Sequence, residues 1–145
     1  MVQEMISGNA LLELIPQREP MVMIDHYCGL LDGVSHAGLH IADGNIFCED
    51  GVLQEYGLIE HIAQSAAARV GFECRVANRN IPVGFIGSVD KMSIYALPSV
   101  GKDILSEICI EQEVGNISLI SARVVCEGEV MAEGRMKIFL NREEE

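Results

Sequence analysis

The carboxylate of Glu60 is set among apolar neighbours in a stretch rich in apolar and small residues: DGVLQEYGLIEHIAQSAAARVGF, residues 50–72. A carboxylate carried into such surroundings must be neutralised, hydrogen-bonded or put to use. Proton transfer is the chemistry open to it. Gln64 follows one helical turn later, so its amide can bond the carboxylate and fix its rotamer. The bland alternatives are a first-turn carboxylate favoured by the helix dipole and a helix-surface amide. Four histidines, 26, 36, 40 and 61, are the other proton carriers. His61 adjoins Glu60, but adjacent helical residues point about 100° apart and do not face one site. His36 and His40 lie opposite the apolar face of their strand, which places them toward solvent or another subunit. The Cys48 thiol has no neighbour in sequence that would lower its pKa.

The element that positions Glu60 is a long helix. Leu53, Tyr56, Ile59, Ala63, Ala66, Ala67 and Val70 recur at three- and four-residue steps, the period of a buried helical face. Alanines with Gly57 and Gly71 keep this helix slim, so other backbones can approach it closely. Around it the chain alternates as strands do. Residues 21–31 and 34–42 precede the helix, the latter with Ala37, Leu39 and Ile41 on one face. Residues 82–96 follow, bent near Gly87, then 103–113, 117–126 and a last strand with Val130, Ala132, Gly134, Met136 and Ile138 inward. Glu127-Gly128 is a compact hairpin signal. Asn9 is placed to cap a short helix over 10–15, and residues 43–51 read as a loop. Two strands, a helix and four strands give an α+β domain in which a curled antiparallel sheet of about six strands wraps the helix. Residues 1–145 read as one domain.

Composition removes several classes of function. The net charge of −12, from 22 acidic and 10 basic residues, repels phosphate backbones and anionic membrane surfaces, so neither nucleic acid nor membrane is expected as a partner. No apolar run reaches the roughly 18 residues of a membrane span. The amino terminus lacks the basic start of a secretory signal. Five cysteines without a CxxC pair read as reduced thiols of a cytoplasmic protein, with neither a disulfide framework nor a metal site.

Three separated stretches carry a family resemblance. Leu14-Ile-Pro-Gln-Arg-Glu-Pro-Met-Val-Met-Ile-Asp25 is similar to the opening LxPHRxPxLLxD of the hotdog-fold 3-hydroxyacyl-acyl-carrier-protein dehydratases of fatty-acid synthesis. Ile59-Glu-His-Ile-Ala-Gln64 resembles their helix motif, an acidic residue with Gln four places on. Gly84-Phe-Ile-Gly-Ser-Val-Asp-Lys91, with Pro98-Ser-Val-Gly-Lys-Asp103, resembles the strand and turn written GIDKxxF…PVxPGD. Within the superfamily the chain is most similar to the dehydratase-like proteins of aryl-polyene pathways, through the run Leu53-Gln-Glu-Tyr-Gly-Leu-Ile-Glu60. The resemblance implies a hotdog homodimer, or a higher oligomer, with an acyl tunnel at its interface. An acyl thioester on carrier protein or coenzyme A would enter it and lose water across C2–C3, with no cofactor. Glu60 maps onto the acidic member of the catalytic pair, with Gln64 supporting it. Gln17, Gly57, Gly84, Phe85 and Gly87 are the expected substrate contacts.

The basic member has no counterpart. Ordinary dehydratases carry a His in an HFPGxP loop, whose place falls at Ile46 in Asn45-Ile-Phe-Cys-Glu-Asp-Gly51. The His of the opening motif is replaced by Gln17. Three functions stay open on the sequence: a dehydratase working through Glu60, an acyl thioesterase in which the helix carboxylate activates water, and a non-catalytic acyl-binding or partner subunit. A carrier would need a local basic patch, for which Arg69, Arg75, Arg79, Lys91 and Lys102 are the candidates.

Overall fold

In the computed structural model the described residues are 5–141, apart from the side chain of Phe85. The charged tail, 142–145, lies outside them. The chain begins with β1 (Ile6–Ser7) and α1 (Gly8–Leu12), followed by β2 (His26–Leu31), β3 (Val34–His40), β4 (Cys48–Glu49) and β5 (Val52–Leu53). Then come α2 (Glu55–Val76), β6 (Val83–Ile94), β7 (Asp103–Val114), β8 (Ile117–Cys126) and β9 (Glu129–Asn141). Seven strands make one antiparallel sheet in the order β1-β2-β3-β7-β8-β9-β6, and β4 and β5 form a separate hairpin. The sheet is curled about α2, so this is the α+β hotdog arrangement, with one strand more than expected because β1 adds two residues at one edge.

Burial explains why α2 holds. Leu58, Ile62 and Ala66 enter the main core with Ile104, Ile108, Ile120, Val124 and Met136 of the sheet. Ala68 joins a second cluster with Leu11, Leu14, Ile24 and Tyr27. The two helix glycines are points of contact. A Cβ on Gly71 would stand 2.2 Å from the Leu14 carbonyl oxygen, and one on Gly57 would stand 2.6 Å from Leu53 and 2.8 Å from Phe47. Asn78 ends the helix at φ 57, with Arg79 N–H returning to the Cys74 carbonyl, the left-handed stop that satisfies the last carbonyls.

The first expected strand is shorter than its apolar pattern suggests. Only His26–Leu31 pairs as β2, because the backbone at 21–23 is bonded instead to helix side chains. The short helix begins at Gly8, after Ser7 and not Asn9, and no side chain caps it. The 43–51 loop includes β4 and runs into β5, and the turn of this hairpin, Asp50-Gly51, has φ 52 and 76. Glu127-Gly128 forms its hairpin turn as expected, at φ 51 and 79, values typical of a type I′ turn.

Candidate active site

Between one side of α2 and the far corner of the sheet lies a cavity of about 260 Å³. Its helix wall is Glu60, Ala63, Ala66, Ala67, Arg69 and Val70. Its sheet wall includes Ile108 and Ile110 of β7, Ser118 and Ile120 of β8, Ile138 and Leu140 of β9, and Gly84 and Ile86 of β6. Leu14, Pro16, Gln17 and Pro82 complete it. The alanines create this space, since their methyls leave open the volume that larger side chains would fill. Much of the apolar stripe legible in the sequence is thus the wall of a cavity. The fully buried side of α2 carries Leu58, His61, Ile62 and Ser65, while Tyr56 is 50 % exposed.

Glu60 is half-buried on that wall. Gln64 Nε2 donates to Glu60 Oε2 at 2.7 Å and to the Met21 carbonyl at 2.8 Å, and Gln64 Oε1 accepts from Met23 N–H at 2.6 Å. The amide is fully buried. It is therefore a clamp joining the segment before β2 to the helix and holding one carboxylate oxygen. The other oxygen is engaged by no hydrogen bond among the described residues, which leaves a lone pair for a proton.

Of the other expected site residues, Gln17 and Gly84 do line the cavity. Gln17 Oε1 itself is buried without a hydrogen-bond partner among the described residues. Gly57 does not line it: its missing Cβ makes room for Phe47 and Leu53. Gly87 does not either, because the Phe139 ring occupies the space a Cβ would take. Its place is a bulge, as the register shift between Ile86 and Ser88 shows. The backbone of Phe85 pairs with Phe139, while its side chain is outside the described residues.

His61 is not among the cavity residues. It is fully buried, with Nδ1 bonded to the Met23 carbonyl at 2.7 Å and Nε2 unpartnered among the described residues. Burial pulls its pKa down to about 4, against the opposing pull of that hydrogen bond. An unfolded chain takes up this proton near pH 6.5 and the folded chain refuses it until near pH 4. Stability should therefore fall as pH drops between those values, by about 3 kcal/mol in all. Urea unfolding at pH 7 and pH 4.5 checks this against His61→Asn, whose amide can keep the bond to Met23. The wild type should lose more than the variant, and equal losses would refute it.

The three remaining histidines face carboxylates on the outer surface: His26 with Asp25, His40 with Asp103 at 2.8 Å, and His36 with Glu107 at 3.8 Å. Burial pushes the Cys48 thiol upward, away from thiolate. Among the described residues no group of three or more His, Cys, Asp or Glu is placed to hold a metal ion.

Of the five cations expected to form a basic patch, Arg69 is not on the surface, while Lys91 is exposed on β6. Arg69 is buried, at 8 % exposure, and Lys102 is paired with Glu127 at 2.6 Å. Arg75 and Arg79 are exposed at the end of α2. Arg69 is the residue whose position the sequence concealed, and its one signal was a cation standing within the run AAARVG.

Comparisons with known proteins bear on the family and the fold. The family described as ApeP-like, ApeP dehydratase, matches residues 9–145. A search of the curated proteins finds no match. Among solved structures, the chain is similar to the dehydratase heterocomplex ApeI:P from Xenorhabdus doucetiae, with a TM-score of 0.83 at 15 % identity over 92 % of this chain and 91 % of that one. It is also similar to a hypothetical thioesterase protein with coenzyme A from Streptococcus pneumoniae TIGR4, with a TM-score of 0.62 at 7 % identity over 82 % and 87 % of the two chains. A protein from Streptococcus mutans UA159 bound to acetyl CoA gives 0.61 at 8 % identity over 82 % and 90 %. At these identities the structural likenesses speak for the fold.

Proposed function

The chain belongs to the ApeP-like dehydratase family, and we propose that it is a 3-hydroxyacyl thioester dehydratase of fatty-acid or polyketide-type biosynthesis, with Glu60 as its acid and base. The observation that carries this reading is the Glu60 carboxylate on the wall of an apolar cavity, with one oxygen held by Gln64. The free oxygen takes the C2 proton, the C2–C3 double bond forms, and the C3–O bond breaks. The same carboxyl returns its proton to the departing hydroxyl, which leaves as water. Gln17 lines the same cavity, and its amide is suited to bond the substrate's 3-hydroxyl and orient it.

The acyl chain lies in the cavity and its thioester reaches in from a carrier protein or coenzyme A. The coenzyme-A-bound neighbours of the same fold support the second carrier. A second subunit completes the site along β6. This strand of 12 residues has one partner, β9, and carries exposed Val83, Ile86 and Val89. Such an edge must be covered, and Gly84 and Ile86 place the cavity beside it. A homodimer is the simplest cover, and light scattering that finds single chains at micromolar concentration would refute it. The ApeI:P heterocomplex supports a second reading, in which this chain is the non-catalytic partner of an active subunit.

Spectrophotometric hydration of 2-enoyl thioesters, on carrier protein and on coenzyme A, tests the function. Turnover of either supports dehydration. Release of free thiol instead would move the reaction to thioester hydrolysis. No reaction with any thioester would leave the partner-subunit reading.

A further inference from the structure

β8 turns every second residue toward α2. Ser118, Ile120, Ala122, Val124 and Cys126 are buried, while the residues between them are more open. Ser118 and Ile120 line the cavity, and Ile117 and Leu119 do not. Successive side chains of a strand point to opposite faces, and a serine side chain is only two heavy atoms long. The Ser118 hydroxyl therefore faces the cavity from the inner side of the sheet. Register sets it beside Ile138, which pairs in turn with Ile86, and both line the same space. Its neighbours in the wall are apolar, yet this position holds a hydroxyl.

Ser118 is 6 % exposed, and its hydroxyl makes no hydrogen bond among the described residues. Glu113, across the β7–β8 pair from it, is exposed and makes none with it. The other three buried serines are all engaged. Ser35 donates to the Ile108 carbonyl at 3.5 Å and Ser65 to the His61 carbonyl at 2.7 Å. Ser106 Oγ lies 3.1 Å from the Ala37 carbonyl and 2.7 Å from the Ser65 hydroxyl. Those hydroxyls join elements of the fold. A polar group this buried in an apolar wall is costly unless it finds a partner, and Ser118 faces space that a ligand can fill.

We propose that the Ser118 hydroxyl is a ligand contact that bonds an oxygen carried on the acyl chain, so that chains bearing one bind in preference to plain hydrocarbon. This deepens the proposed function and rests on the cavity being an acyl site. A serine hydroxyl can donate to a carbonyl or ether oxygen, and can donate to or accept from a hydroxyl. A plain hydrocarbon chain would leave it unpaired.

The protein alone gives the first reading. A hydroxyl that waits for a ligand adds nothing to the empty fold, so Ser118→Ala should melt within about 1 °C of wild type or above it. Ser106→Ala, which gives up bonds inside the fold, should melt lower by about 4 °C or more. A fall for Ser118→Ala approaching that of Ser106→Ala, or a failure to fold, would set this hydroxyl among the bonds of the fold and overturn the inference. Calorimetry then uses S-alkyl pantetheine thioethers, which neither eliminate nor hydrolyse, with one hydroxyl moved carbon by carbon along the tail. At one position the hydroxyl should tighten binding about five- to tenfold over the plain tail, the scale of a single neutral hydrogen bond. Ser118→Ala should bring that pair within about twofold while still binding the plain tail. No preferred position, or a preference that survives Ser118→Ala, overturns the role of Ser118 and leaves the acyl site standing. Failure of every thioether to bind overturns the acyl site and this inference with it.

Discussion

Glu60→Gln should lower the hydration of 2-enoyl thioesters by roughly 10³-fold, the scale of losing the group that moves the proton, and leave the fold intact. The substitution keeps shape and volume. Gln64 Nε2 can still donate to the oxygen of the new amide, so the clamp on Met21 and Met23 is undisturbed. What disappears is the ability to accept and return a proton. Affinity for a thioether analogue should change little, since the substrate's apolar contacts come from the alanine and isoleucine walls. His61 cannot take over, because its ring is fully buried and its Nδ1 is committed to the Met23 carbonyl. Stopped-flow turnover and melting temperature, measured on the same preparations, check both halves. A variant retaining more than a tenth of wild-type turnover would remove Glu60 from the chemistry. A parallel fall in melting temperature would mean that the carboxylate holds structure.

The fold was legible because its signals are local. Alternation marks β3 and β9, Glu127-Gly128 marks a turn, and small residues mark α2 as a helix that other backbones touch. The Glu60–Gln64 pair was legible for the same reason, since four residues along a helix brings two side chains together whatever surrounds them. The long-range features were hidden. Nothing near Met21 or Met23 says that their backbone will bond to Gln64 and His61, some forty residues away, so the apolar run 21–25 read as strand. Arg69 read as a surface cation because its partners are the carbonyls of Gly33 and Ile108, which carry no side-chain signature. Gly57 and Gly87 illustrate the converse. At both, the atoms standing where a side chain would begin belong to the protein itself, Leu53 and Phe47 at Gly57 and the Phe139 ring at Gly87.

Gln64→Leu should destabilise the protein by about 4 kcal/mol, although leucine matches the glutamine in size and the site is fully buried. Leucine removes the acceptor of Met23 N–H and the donors to the Met21 carbonyl and Glu60. Each buried polar group left unpaired costs about 1–3 kcal/mol, fully so for the buried Met23 N–H and less for the part-buried Met21 carbonyl and Glu60. In a domain whose whole stability is of the order of 5–15 kcal/mol, the melting temperature should drop by roughly 10–15 °C. Hydrogen exchange at Met23 N–H should accelerate more than at Leu58, two residues before Glu60 on the helix, because the segment loosens before the helix does. The loss also reaches the chemistry, since an unclamped Glu60 samples several rotamers and presents its free oxygen to the cavity only part of the time. Gln64→Glu separates the two effects. It retains an acceptor for Met23 but gives up the donors, and it sets a second carboxylate against Glu60. Its activity should therefore fall while much of the Met23 protection survives. Melting of Gln64→Leu within 3 °C of wild type, a shift of about 1 kcal/mol, would show that segment 21–23 is held by its apolar packing and not by the amide.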